Sequence, residues 1–256
     1  MNTAITYEFP LNERIRMFIR IEQLFIQLQH FLGGASVIDK RAAIKALQDI
    51  LLILSRNDLK SEILKEIDRH AKTFNQMIAK DADSAQNLQK TVADLQAIGK
   101  KLYATNGKIG MNVMSNDLFQ SIAQRSSIPG GSCSFDLPAF HYWLEQESAV
   151  QALDLKNWTE PFSDIRCAID LLLMFVRNSG KTTQEVAKEG FFQLGLDSTL
   201  PYQLLRINVD QKHRFFAETS GGKHRFTIRL MQPSTDSNRP TQTKENVPFA
   251  LTICVF

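Results

Sequence analysis

Over the first two thirds of the chain, apolar residues recur every three or four positions, which is the spacing of amphipathic helices. The first such pattern follows Asn12, a favourable N-cap residue, and stops at Gly33 and Gly34, which readily end helices. It predicts one long helix that runs to about residue 31. Further helices are predicted over residues 42–54, 59–78, 88–102, 117–125 and 161–177.

After residue 180 the pattern changes to strict alternation of apolar and polar residues, which is typical of strands with one buried face. Residues 205–210, 225–230 and 249–255 alternate in this way, and the glycines at 221 and 222 predict a hairpin turn. Residues 233–248 are rich in Pro, Ser, Thr, Asn and Gln, which favours a mobile excursion between strands.

Together these patterns predict an α+β fold. A mainly α-helical domain is predicted over residues 1–180, and a small antiparallel β-sheet domain over residues 181–256.

The composition is that of an ordinary globular protein, with 43% hydrophobic and 22% charged residues. Cys133, Cys167 and Cys254 lie far apart, which argues against a disulfide framework and a cysteine-ligated zinc site. We find no signal segment and no apolar run near the roughly 20 residues of a membrane span, so we expect a cytoplasmic protein. The net charge of +3 is too small to indicate nucleic acid by itself.

The candidate chemistry of the chain is sparse. The glycine-rich segment 128–134 lacks the lysine and the spacing of a phosphate-binding loop, and it is predicted to be a structural turn. Asp136 is predicted to cap the helix that follows, which carries His141. No spacing brings Cys133 and His141 together as a nucleophile and base, and no histidine spacing suits a metal. The sequence therefore predicts no catalytic residue, no metal and no cofactor.

Two clusters of cations are candidates for binding. Arg16 and Arg20 lie one turn apart on the narrow polar stripe of the first helix, where they pair with nearby carboxylates or form a groove for a partner's carboxylate. In the sheet, alternation places Arg225 and Arg229 on the polar face of one strand and Arg206 on that of another. If these strands are neighbours, the three arginines form one basic surface, which is a solvated face or a site for an acidic peptide or a phosphate backbone.

Five long segments resemble the ZapD family of cell-division proteins: residues 9–22, 59–69, 127–144, 204–208 and 220–230. They follow one another in the family's order from the first residues to the last strands. The resemblance implies a helical domain joined to a β-domain and a symmetric homodimer. It also implies binding to the C-terminal tail of FtsZ, and crosslinking of FtsZ protofilaments at the midcell division ring.

The resemblance also implies which residues contact the FtsZ tail. Matched position by position, the candidates are Arg16, Arg20, Arg56, His141, Arg206, Lys223, Arg225 and Arg229. Arg225 and Arg229 lead, because the strand alternation places them on an open face independently. Phe18 and Phe25 of the strongly apolar first helix are predicted at the dimer interface. The alternative function is a nucleic-acid-binding dimer that uses the same basic sheet face.

Overall fold

The computed structural model describes residues 4–56, 58–78, 85–105, 107–125, 127–234 and 239–256, apart from the side chains of residues 56 and 85–88. The chain divides into two compact units. One, here called the β unit, consists of Met1–Phe18 and Leu173–Phe256, and the other, the helical unit, consists of Ile19–Leu172. Helices and strands together confirm the predicted α+β class.

The helices of the described residues are α1 (Glu13–Leu32), α2 (Val37–Arg56), α3 (Leu59–Ile78), α4 (Ala85–Ala104), α5 (Met111–Met114), α6 (Asp117–Arg125), α7 (Pro138–Leu144), α8 (Ser148–Thr159) and α9 (Ser163–Asn178). The predicted cap of α1 is present, because the amide of Ile15 donates to Oδ1 of Asn12 at 2.9 Å. The predicted cap of α7 is wrong. Its N-cap residue is Leu137, and Asp136 instead lies 3.7 Å from Nη1 of Arg125.

The strands are β1 (Ala4–Pro10), β2 (Gly180–Ala187), β3 (Phe191–Gly195), β4 (Tyr202–Asp210), β5 (Phe216–Gly221), β6 (Arg225–Gln232), β7 (Thr241–Gln242) and β8 (Val247–Val255). They form two antiparallel sheets. The first sheet has the order β1-β4-β8-β2, and the second has the order β3-β6-β5 with β7 paired to β6. The predicted hairpin between β5 and β6 is confirmed.

The two sheets share one hydrophobic core, because alternate side chains of each strand point to the same side. The core members from the central strands β4 and β6 are Leu205, Ile207 and Val209, with Phe226, Ile228 and Leu230. The polar residues between them therefore point away from the core, on the outer surfaces of the two sheets.

The β unit differs from the predicted C-terminal domain at its N-terminal side. Residues 1–180 were predicted as helical, but β1 pairs with β4 along its whole length, from Ala4 opposite Asp210 to Pro10 opposite Leu204. In the predicted excursion 233–248, residues 235–238 lie outside the described part of the chain. Thr243 is buried and its amide donates to the carbonyl of Leu230 at 3.0 Å, so this end of the segment is anchored to the sheet.

The helical unit is held together by apolar helix faces at the predicted spacing. In α3 the buried residues are Leu59, Ile63, Glu66, Ile67, His70, Ala71 and Phe74, one stripe of the helix. The buried carboxylate of Glu66 accepts from Nη2 of Arg69 at 2.6 Å. Within the described ranges, no helix is both long and apolar enough to cross a membrane.

Candidate functional site

The outer surface of the second sheet carries the leading candidates, Arg225 and Arg229. Both lie on β6 and point away from the core, since the residues that alternate with them, Phe226 and Ile228, are fully buried. We call this surface the second-sheet face. Its other members lie directly opposite in the strand register: Phe191 opposite Arg229 and Gly195 opposite Arg225 on β3, and Glu218 opposite Arg229 and Ser220 opposite Thr227 on β5.

The second-sheet face exposes two cations and an aromatic ring together. Arg225 and Arg229 are exposed, and no ion pair or side-chain hydrogen bond involves either one among the described residues. Because Gly195 is the residue opposite Arg225, β3 places no side chain beside that guanidinium. Phe191 is 38% exposed, which is high for a large apolar side chain. A surface of this kind can bind a carboxylate through Arg and an apolar side chain through Phe191.

Arg206 does not belong to this surface, because the condition for the cluster of three arginines, that their strands are neighbours, is not met. Its strand, β4, lies in the first sheet, whereas β6 lies in the second. Arg206 is also engaged, because its Nε donates to Oε1 of Glu8 at 3.1 Å. A partner's carboxylate would have to compete with Glu8 for this guanidinium.

Glu8 is the residue that the sequence reasoning missed. Its carboxylate lies on β1 and accepts from two guanidiniums, that of Arg206 and that of Arg177 on α9, with Nη2 of Arg177 at 2.9 Å from Oε2. The alternation of Ile5, Tyr7 and Phe9 with Thr6 and Glu8 is the signal that could have predicted β1 and the position of Glu8. The ion cluster holds β1, β4 and α9 together within the β unit.

Cys254 lies near this ion cluster on β8. Its Sγ is 3.9 Å from the carbonyl oxygen of Arg177, and the residue is fully buried. Burial is the main cause that raises the pKa of the Cys254 thiol from its ordinary value of 9.0 to about 11, because the thiolate would lose its hydration there. This environment keeps the thiol neutral and unreactive, so Cys254 is a packing residue.

The two arginines of α1 differ in their surroundings. Arg16 is partly buried, forms an ion pair with Glu13 and donates to the carbonyl of Pro10 at 3.4 Å. Arg20 is exposed and has no side-chain partner among the residues the structure describes. Of the two alternatives raised by the sequence, pairing within the chain therefore holds for Arg16, and Arg20 remains available to a partner.

Phe18 and Phe25, the predicted dimer contacts, are buried in the single chain. Their exposed fractions are 0% and 4%. Neither ring offers surface to a second copy, because each is already covered by the chain's own side chains.

The remaining candidates are separated along the chain. His141 is exposed on α7, and Lys223 is exposed at the β5–β6 turn, two residues before Arg225. Arg56 is the last residue of α2, and its side chain lies outside the described part of the chain. Within that part, no group of three or more His, Cys, Asp or Glu side chains is placed to hold a metal ion.

The chain is similar over its whole length to known proteins. A family model described as ZapD, cell division protein, matches residues 19–229. Cell division protein ZapD of Methylococcus capsulatus is 44% identical over 255 residues, which is 100% of both chains. The proteins of the same name from Nitrosomonas europaea and Chromobacterium violaceum are 36% and 33% identical over 252 residues, 98% of this chain and 95% and 100% of theirs.

Proposed function

The chain belongs to the ZapD family of cell division proteins, and on that premise we propose that it is a non-enzymatic division factor that binds the C-terminal tail of FtsZ. As a homodimer it holds two tails at once and crosslinks FtsZ protofilaments into bundles at the midcell division ring. The observation that carries the proposal is the family match over the full chain, 44% identity across 255 residues.

The second-sheet face supports tail binding. A tail that carries acidic and apolar residues requires cations that are free of internal carboxylates, together with exposed apolar surface. Arg225 and Arg229 meet the first requirement within the described residues, and Phe191 meets the second. Arg guanidiniums bind carboxylates with two parallel hydrogen bonds, which favours them over lysines for this role.

A homodimer supplies the two equivalent sites that crosslinking needs, because two-fold symmetry repeats every surface of the chain. We expect the dimer surface to be built from exposed side chains, because Phe18 and Phe25 are buried in the single chain. On α1 the exposed apolar residue is Ile26, with 54% of its surface accessible.

The alternative, a nucleic-acid-binding dimer, receives less support from the same face. Arg206 is absent from it, and Glu218 lies opposite Arg229 in the register. A phosphate backbone carries one negative charge per nucleotide and needs a longer row of cations than two arginines, whereas a peptide needs only one arginine for each carboxylate.

Co-sedimentation with the cognate FtsZ and GTP tests the proposal. The protein is mixed with full-length FtsZ or with FtsZ that lacks its C-terminal tail, and the pellets are compared and imaged. We expect pelleting and bundles with the full-length form alone. Equal pelleting with both forms would overturn the tail as the binding partner. No pelleting with either form, from a folded sample, would overturn the function, and retention on nucleic acid with a steep dependence on salt would then identify the alternative.

A further inference from the structure

We propose that a groove in the helical unit binds a short segment of the partner in which a large apolar side chain lies next to a carboxylate. This inference rests on the proposed function, because it assigns that segment to the FtsZ tail, as a contact in addition to the one proposed for the second-sheet face. The groove lies between one face of α2, the end of α6, the glycine-rich turn 128–134 and the start of α7. Its volume of about 380 Å³ is in the range of sites that hold ligands. We call it the helical groove.

The floor of the helical groove is apolar and its rim exposes two isoleucines. Ile44, Leu137 and Phe140 line it and are themselves almost fully buried. At the rim, Ile38 is 77% exposed and Ile128 is 45% exposed. Exposed apolar surface that borders a groove and is ringed by polar groups is typical of a binding site.

The charge of the lining is of one sign. Arg41, Lys45 and Arg125 line the groove, and no aspartate or glutamate does so among the described residues. Apolar and cationic side chains in one groove are complementary to a segment that combines an apolar side chain with a carboxylate. The same chemistry disfavours a basic or purely apolar segment.

Arg41 is the cation that the fold holds in place. Its Nη1 donates to the carbonyl oxygen and to Oγ of Ser132, both at 3.0 Å, and its guanidinium lies 5.2 Å from the centre of the Phe140 ring. No carboxylate of the described residues pairs with it. The remaining N–H groups of Arg41 can therefore bind a carboxylate at little further cost in side-chain entropy.

Lys45 and Arg125 have carboxylate partners that a ligand can replace. Nζ of Lys45 lies 2.8 Å from Asp49, and Nη1 of Arg125 lies 3.7 Å from Asp136. Both pairs are at the surface, where ion pairs contribute little stability. They can reorient toward an incoming carboxylate.

The glycine-rich turn is the element that brings Ser132 to Arg41. Gly130 has φ of +73°, in the left-handed region that favours glycine. A Cβ on Gly131 would lie 2.7 Å from the carbonyl oxygen of Arg125, so only glycine permits this close approach to the end of α6. The segment that the sequence identifies as a structural turn thus forms one wall of the helical groove.

Binding of a fluorescent peptide with the sequence of the cognate FtsZ tail tests the inference on the full-length protein, by fluorescence anisotropy. Arg41→Glu removes the held cation and Ile128→Glu removes the exposed rim. We expect each to weaken binding by about tenfold or more, because each puts a negative charge in the groove that repels the carboxylate of the segment. The matched controls are Lys72→Glu on α3 and Leu153→Glu on α8, exposed residues that do not line the groove. They should bind like the unmodified protein.

The possible results distinguish failure of the groove assignment from failure of the proposed function. If the unmodified protein binds the tail and both groove variants bind it equally well, the helical groove is not the site, and tail binding stands. If the unmodified protein does not bind the tail, both proposals fail. Far-UV circular dichroism checks that the variants are folded. If Arg41→Glu does not fold, binding by Ile128→Glu alone tests the groove.

Photo-crosslinking gives a readout that does not depend on affinity. p-Benzoylphenylalanine in place of Ile38 should crosslink to the tail peptide on irradiation. The same residue in place of Tyr103, which is 80% exposed on α4 and does not line the groove, should not. Equal crosslinking at both positions, or none at position 38, would overturn the assignment.

Discussion

Phe191 of β3 lies directly opposite Arg229 of β6, so an exposed ring and a guanidinium without a carboxylate partner in the described residues share one face of a sheet. We expect Arg225→Glu together with Arg229→Glu to abolish FtsZ bundling, because the reversed charges repel an acidic tail. Co-sedimentation with FtsZ measures this.

The control for this double variant is Lys72→Glu with Lys156→Glu, which changes the net charge equally at exposed positions of α3 and α8. It should bundle normally. Equal loss in both double variants would mean that net charge, and not the second-sheet face, governs bundling.

The carboxylate of Glu8 stabilises the β unit because Arg177 and Arg206 share it. Glu8→Ala leaves the two partly buried guanidiniums without their common partner. We expect the free energy of unfolding to fall by about 2 kcal/mol, the size of charged hydrogen bonds. Urea unfolding followed by far-UV circular dichroism measures the change. Glu218→Ala removes an exposed carboxylate of the same unit and should change the free energy of unfolding by less than about 0.5 kcal/mol. Equal effects of the two variants would show that sharing by two arginines does not make Glu8 stabilising.

On α3, two glutamates pair with a basic residue three positions later and differ in burial and in partners, since Glu66 also lies 3.6 Å from Nε2 of His70. The side chain of Glu66 is 2% exposed and that of Glu62 is 35% exposed. Glu66→Ala should therefore lower the free energy of unfolding by about 3 kcal/mol, whereas Glu62→Ala should lower it by less than about 1 kcal/mol. The two variants are compared by thermal and urea unfolding. Similar losses would show that the buried contacts of Glu66 contribute no more stability than the exposed Glu62 pair.

The three cysteines should differ in reactivity. Cys133 and Cys167 are exposed and Cys254 is buried. Iodoacetamide at pH 8 should label the first two in the folded protein and Cys254 only after unfolding, as read by peptide mass spectrometry. Rapid labelling of Cys254 under native conditions would contradict its burial between the sheet and α9.

The raised pKa of Cys254 also makes stability depend on pH. The folded thiol has a pKa of about 11, whereas the ordinary value is 9.0, so above pH 9 the unfolded state binds fewer protons. Its contribution to the free energy of unfolding is complete below pH 9 and is lost as the pH rises toward 11. Cys254→Ser should flatten the decline of the free energy of unfolding over this range, as measured by urea unfolding. An unchanged decline would mean that other titrating groups cause it.

Arg225 and Arg229 could be placed from the sequence, whereas Arg206 could not. Alternation along one strand decides which residues share a face, and it correctly put both β6 arginines opposite a buried face. Whether Arg206 joins them depends on which strands are neighbours. That order arises from pairing between distant segments, and it puts β4 in the other sheet.

In the helical groove too, the elements could be predicted from the sequence, but the contact between them could not. The turn 128–134 and the apolar face of α2 are visible in the sequence, but Arg41 and Ser132 are 91 positions apart, and only packing brings them within 3.0 Å. Conversely, Phe18 and Phe25 suggested a dimer contact because an apolar residue looks the same in either environment. Burial in the chain's own core became evident only from the packed structure.

Local periodicity determined most of the helices, the strand faces and the hairpin, because these depend on residues within a few positions of one another. The helices α5 and α8 were not predicted from it. The resemblance to the ZapD family was also evident from the sequence alone. The tertiary structure decided which of these charges are paired. Glu8 accepts from Arg177 and Arg206, Arg16 pairs with Glu13, and Arg225 and Arg229 have no ion-pair partner among the described residues. The physical reason is that a side chain's environment is made by segments far away in the chain, whose arrangement depends on the burial of the whole core.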